Sequence, residues 1–401
     1  KRPTVLGSRH CISSTEERRG HKADAMNKND VVIVLEAPPA DPDASPEPSP
    51  IISDADASPE PPPINSAVIP SFLSILERLH AGYFRIPLSL CSQALLWKNI
   101  AESSRDFRSL GRMLRLFPPS FNVLIWSCAL FILASLSVLY VLRCVFHFQK
   151  VKSEFLHHVG VNYLFAPWIS WLLLLQSSPF FSPADALYSY LLCAFVAPVL
   201  ALDVKLYGQW LTKGKRFLSV VANPSSQLSV IGNLVGARAA AAMGLRENAM
   251  CLFSLGMAHY FVLFVTLYQR LSGQKRLPAM LRPVFFLFIA APSVASLAWG
   301  SISGAFDVPS KMLFFLSLFL FFSLACRPAL FVKSMKKFSI AWWAYSFPLT
   351  ALAISSLSYA REVKNDVAAG TMTCLTVLSV VVSIGLALLT ACNANYVIPN
   401  S

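Results

Sequence analysis

Charge is scarce in this 401-residue chain: Lys, Arg, Asp and Glu supply only 14% of it, while hydrophobic types supply 55%. A soluble domain carries about 25% charged residues, so a water-facing surface around the whole chain is excluded. Catalytic signatures are missing as well. There is no G-x-x-x-x-G-K-S/T, no H-E-x-x-H and no G-x-S-x-G, which removes the phosphate-cradling loop, the zinc-protease helix and the nucleophile elbow. The nine cysteines include no C-x-x-C pair. No metal or redox framework is therefore expected, and they read as small packing residues. No cofactor is implied. No apolar stretch opens the chain, so no signal peptide is expected. The first methionine is Met26, and residues 1–25 read either as an extension of the gene model or as part of a fragment.

Long apolar segments are what the chain has instead. A membrane helix needs about 20 mainly apolar residues. Ten segments approach this: 82–98, 122–144, 160–177, 185–203, 226–243, 247–269, 283–301, 311–326, 339–359 and 370–391. The first, third and fifth are the weakest, because polar residues or breaks interrupt them. Ahead of them, residues 1–70 read as a disordered cytosolic tail. Eleven prolines stand between Pro38 and Pro70, interleaved with Asp, Glu and Ser, and such a stretch cannot bury a core. Ser45, Ser49 and Ser58 each precede proline there, and read as proline-directed phosphosites or as plain linker. Residues 66–80 read as a short amphipathic helix on the membrane surface. Residues 71–395 form the membrane domain, and 396–401 a short cytosolic end.

The net charge of +13 needs no nucleic-acid partner, because topology accounts for it. With the N-terminus in the cytosol, the inside loops hold fifteen Lys and Arg against nine outside. That is the positive-inside pattern, with the first outside loop as the exception. An even number of spans puts both termini in the cytosol.

Alternate segments are broken. Pro87, Pro167, Pro292 and Pro348 interrupt the first, third, seventh and ninth, and the fifth follows Pro224 and carries Gly232 and Gly236. Of the even segments only the fourth holds an internal proline, Pro198. A proline removes a helix hydrogen bond, and in lipid the freed carbonyl must find a partner inside the protein or in a wet cavity. The repeat predicts an all-α membrane protein: ten transmembrane helices as five hairpins side by side, the broken odd helices inside around a central aqueous path and the plain ones outside. Carboxylates are absent from the depth of the odd segments, with Asp203 and Asp307 placed at segment ends. This argues against a cation path. His259, in the sixth segment, reads as a packing residue or a structural hydrogen-bonding group.

Several stretches then match one family. FAPW (165–168), LYGQWL (206–211), ANPSSQLSVIGNLVGA (222–237), AHYFVLFVTLYQRL (258–271), IAAPS (289–293) and AWWAYSFPLT (341–350) resemble the plant slow-type anion channels, the SLAC/SLAH family, related to bacterial TehA. The likeness covers about residues 75–395. It is closest to the subgroup with short tails. It implies a trimer with one pore per protomer, ten helices in a quasi-fivefold array with the odd-numbered ones lining the central pore, passive efflux of chloride or nitrate across the plasma membrane, and a gate formed by the phenylalanine before the ninth-helix proline. Here that is Phe347, ahead of Pro348. A phenyl ring in a narrow apolar tube blocks an ion because nothing there replaces its hydration shell.

Two basic residues lie in odd segments. Arg85 either attracts anions at a pore mouth or snorkels to the surface. Arg238 either faces the pore or anchors at the headgroups, the second being slightly favoured. Ser219 follows Arg216 as R-x-x-S on an inside loop, and reads as a kinase site or a chance match. Partners implied are small inorganic anions, lipid, paralogues in a homo- or heterotrimer, and a regulatory kinase. Two rival functions stay open: an organic-anion carrier of the TehA type, and a non-conducting subunit of a heteromeric channel.

Overall fold

The computed structural model describes residues 73, 75–103, 120–212, 222–272, 279–332, 334, 335 and 338–393. The chain divides into two units, 1–62 and 63–401, and every described residue belongs to the second. The tail, its serines, Ser219 and residues 396–401 lie outside the described residues. Of the surface helix at 66–80, the described stretch 75–78 is helical.

Among the described residues the regular structure is all helical. Ten helices of 13 residues or more are labelled in chain order: α1 Arg85–Ser103, α2 Phe121–Phe146, α3 Phe165–Ser177, α4 Ala186–Thr212, α5 Gln227–Ala242, α6 Arg246–Ser272, α7 Leu287–Ser303, α8 Val308–Ala325, α9 Ser346–Val363 and α10 Asp366–Cys392. Seven stretches are long and apolar enough to cross a membrane, built on α2, α4, α6, α7, α8, α9 and α10, and eight if the bent pair ending in α3 counts as one. The chain is thus a multi-pass membrane protein. The shortfall falls on α1, α3 and α5, the three weak segments of the sequence.

Burial explains why those three are weak. In the apolar windows of α2, α4, α6, α8 and α10 only 11–33% of residues are buried, against 72% and 83% around α7 and α9. In α5, 13 of 16 residues are buried, and in α3, 9 of 13. A helix shielded from lipid need not be uniformly apolar, provided its polar groups find partners. They do. Gln93 of α1 donates to Thr350 (2.9 Å), Ser379 (3.0 Å) and Ser383 (2.7 Å), tying α1 to α9 and α10. Ser89 donates to the Trp343 carbonyl. Asn233 of α5 donates to Asp203 of α4 at 2.7 Å.

The odd helices pack in a closed order: α1 on α3, α3 on α5, α5 on α7, α7 on α9 and α9 on α1, with each even helix against the odd one before it. Each odd helix is preceded by a short turn. Ala81–Phe84, Pro224–Ser226, Ala279–Phe286 and Ile340–Tyr345 are 3-10 turns, and Gly160–Tyr163 is one α-helical turn. These five turns touch one another in the same cyclic order. All five odd helices therefore begin in one layer, termed the start layer, and run parallel away from it.

Two expectations are revised. The fourth apolar segment was set to end at Asp203, yet α4 continues to Thr212. The carboxylate does not end the helix because it is buried against Asn233 rather than turned to water. The prolines also sit earlier than mid-helix. Pro87, Pro167 and Pro348 are each the third residue of their α-helix, where the first-turn N–H has no intrahelical partner to lose. Only Pro292 lies further in; beside it, the Ile289 carbonyl accepts from Ser293 (2.9 Å) and Ser317 (2.8 Å).

One element had no sequence forecast. The helix Phe148–Leu156 precedes the start of α3 at a bend of 103°. Its Glu154 accepts from the Ala81 backbone at 2.7 Å and pairs with Arg143 of α2 at 2.6 Å. A side chain at Gly160 would come within 2.7 Å of the Glu154 carbonyl, so the bend requires glycine there.

Candidate functional site

The ring of odd helices encloses a cavity of about 20 Å³, and all five contribute to its wall. The contributions are Ser92 and Leu95 of α1, Leu173 and Gln176 of α3, Val235 and Arg238 of α5, Val294 and Leu297 of α7, and Phe347, Ala351 and Ile354 of α9. On four helices the two residues are three apart, the spacing that puts side chains on one helix face. One water needs roughly 10–15 Å³, so the cavity has no room for a hydrated ion.

Phe347 is 2% exposed and is the second residue of α9. It lines the cavity from the first turn of α9, the end nearer the start layer. At the other end of the α5 wall stands Arg238, the one charged residue in the lining. It is partly exposed, and among the described residues its guanidinium makes no hydrogen bond and no ion pair. The other polar groups of the wall have spent their donors. The Ser92 hydroxyl donates to the Ser89 carbonyl at 2.7 Å. The Gln176 amide donates to the carbonyls of Leu172 and Val235, both at 3.2 Å. Among the described residues no carboxylate lines the cavity.

Against this geometry stand three likenesses. The model of the voltage-dependent anion channel family matches residues 78–391. S-type anion channel SLAH1 of Arabidopsis thaliana is 59% identical over 323 residues, which is 80% of this chain and 83% of that protein. S-type anion channel SLAH4 of the same plant is 57% identical, covering 80% and 86%.

The chain belongs to the S-type anion channel family.

A more distant relative is the tellurite resistance protein TehA homologue of Haemophilus influenzae, 26% identical over 285 residues, 70% of this chain and 81% of its own. Membership in the S-type family makes an anion channel the functional class, and the family is not one of enzymes.

For an S-type family member, the other sequence-picked residues are distributed as follows. Pro87, Pro292 and Pro348 are buried and Pro167 half-buried, at the foot of or within the inner helices. Arg85, the first residue of α1, is apart from the cavity. Its guanidinium lies 4.7 Å over the Tyr163 ring and its Nε donates to the Gly82 carbonyl at 2.9 Å. Arg238 lines the cavity, the placement less favoured from sequence. His259 donates from Nδ1 to the Leu255 carbonyl (2.8 Å) and stacks on Tyr207, a structural arrangement on an outer helix. Asp307 caps α8 by accepting from the Ser310 N–H at 3.3 Å. Among the described residues no His, Cys, Asp and Glu group has the arrangement of a metal site. Sequence reasoning missed Gln176. Its signal was weak, a single amide at the end of an apolar run.

Proposed function

We propose that this chain passes small monovalent anions, chloride and nitrate, passively across the plasma membrane through the space between its odd helices, and that Phe347 is the gate. In this reading all ten helices cross the bilayer as a quasi-fivefold array of hairpins. The start layer and both termini face the cytosol, and protomers assemble as a trimer. The observation that carries the reading is the cavity walled by all five odd helices, with an aromatic ring at one end, a cation at the other and no carboxylate between. A chloride or nitrate ion reaching Phe347 would meet carbon on all sides and lose its water without replacement, which is costly. Moving the ring aside, or removing it, opens a tube lined by small and aliphatic side chains. Pro348 follows the ring directly and restricts the backbone of Phe347, which supports its role in aiming the phenyl group. Arg238 supplies positive potential at the outer end, and Arg85 at the inner.

The test is two-electrode recording in oocytes, with the chain alone and with a conducting family member. Phe347→Ala is expected to enlarge a current whose reversal potential follows the chloride and nitrate gradients. An unchanged current would remove the gate assignment. Silence in both variants when alone, with altered currents on co-expression, would instead mark a modulatory subunit. Coupled flux of fixed stoichiometry would mark an organic-anion carrier.

A further inference from the structure

We propose that Arg238 is the binding group of an anion station on the outer side of Phe347, and that it prefers a planar oxyanion such as nitrate over chloride. The inference deepens the channel reading and rests on it for the identity of the anion class. Its argument is local. An arginine within a membrane helix is costly and is found facing a bundle interior or water, paired with an opposite charge or a carbonyl. Arg238 faces the interior but has no such partner among the described residues. The charges it feels from neighbouring elements are those of Lys98 and Glu102 on α1, with Tyr188 of α4 close by. Glu102 is solvent-exposed and makes no ion pair with it. The Lys98 ammonium is held by the carbonyls of Gln176 (3.0 Å) and Ser178 (3.2 Å), so it adds positive potential while two of its three donors are committed.

Arg238 therefore holds the uncommitted donors of the cavity wall, since those of Ser92 and Gln176 are spent. A mobile anion supplies the missing partner. Because Arg238 stands in the later turns of α5 and Phe347 in the first turn of α9, the proposed route of an anion to it is from the outer side, without passing Phe347. The guanidinium is a planar fork that takes two oxygens of an oxyanion at once, whereas a spherical halide gains only one point of contact and a lysine offers a single charge.

The test uses binding rather than current, on the full chain purified in detergent and, separately, in phosphatidylcholine nanodiscs. Melting temperature is followed as gluconate is replaced by nitrate or chloride at fixed ionic strength. A ligand that binds the folded state raises it by mass action. Nitrate is expected to stabilise the native chain in both media, and Arg238→Gln to abolish that rise. Arg238→Lys is expected to weaken apparent nitrate affinity about tenfold, the loss of one charge-assisted contact, with chloride affinity changed far less. Should Arg238→Gln not fold, the lysine variant reads alone. No nitrate effect on the native chain, a full effect in Arg238→Gln, or equal nitrate affinity in Arg238→Lys would each overturn the station. A nitrate effect present in lipid-free detergent but absent in nanodiscs would assign Arg238 to a headgroup phosphate in the bilayer instead, and overturns it too. The two readings fail separately: Phe347→Ala with unchanged current but an intact nitrate shift sinks the gate and leaves the station.

Discussion

His80 shows how one side chain sets the entry to α1. Its ring nitrogen accepts the Gly82 N–H at 3.0 Å and so caps the first 3-10 turn. Burial, helped by the positive charges of Arg85 and Arg143, holds its pKa down at about 4, below the usual 6.5. The neutral ring is therefore the folded form. Stability from this cap is complete above pH 6.5 and is lost as pH falls from there toward 4, because the unfolded chain takes up the proton first. An asparagine accepts the same N–H and does not titrate. His80→Asn is expected to flatten the fall in melting temperature between pH 6.5 and 4 while leaving the value at pH 8 little changed. A slope equal to that of the native chain would show that the cap is not the titrating group.

At the scale of elements, the joint between α2, the helix Phe148–Leu156 and the start of α1 depends on a single carboxylate. Glu154 and Arg143 retain side-chain exposures of 11% and 6%. Removing one partner of a buried pair strands the other, at a cost of about 3–5 kcal/mol. Glu154→Ala is expected to destabilise the purified protein by that amount, measured by denaturant or thermal unfolding. The double variant Glu154→Ala/Arg143→Met should recover part of the loss, since no charge is then stranded. This joint was not legible in the sequence: a nine-residue helix with Lys150, Lys152 and Glu154 looks like any basic loop, and only the return of the chain to Ala81 gives the carboxylate its partners. The all-helical, membrane-spanning character was legible, because long apolar runs mark most of the helices, and the prolines now found at the feet of α1, α3 and α9 leave a regular mark. Their position at helix starts was not, since apolar runs extend smoothly through the preceding 3-10 turns. Asp203 misled for a related reason. A carboxylate reads as the end of a span unless its buried partner, thirty residues away in sequence, is known.

For the molecule as a whole, the division into a lipid-facing shell and an enclosed centre has a chemical test. Phe319 of α8 is 67% exposed and Ala351 of α9 is 3% exposed. In a chain without other cysteines, Phe319→Cys is expected to resist a charged thiol reagent, because acyl chains surround it. Ala351→Cys should resist the reagent applied to the start-layer face while Phe347 is present, and react once Phe347 is alanine. Labelling of Ala351→Cys with the phenyl ring in place would mean that the centre is already open from that side. The native cysteines fit the same division. Cys91 is buried, and the seven other described ones lie exposed or half-exposed on the helices.

The common origin of the five inner helices in one layer has an electrical consequence. Peptide dipoles in parallel helices add, giving each N-terminus roughly half a positive charge and each C-terminus roughly half a negative one. Five converging N-termini make the starting end attractive to an anion before any side chain is counted. The far end carries the opposite bias and would repel the same ion. Lys98, Arg238 and Arg361 stand in the later turns of inner helices, but so do Glu102 and Glu362, which leaves Arg238 as the charge that opposes that bias. The end at which the inner helices finish would thus repel an anion but for a single guanidinium, so removing the charge of Arg238 takes away more than one contact.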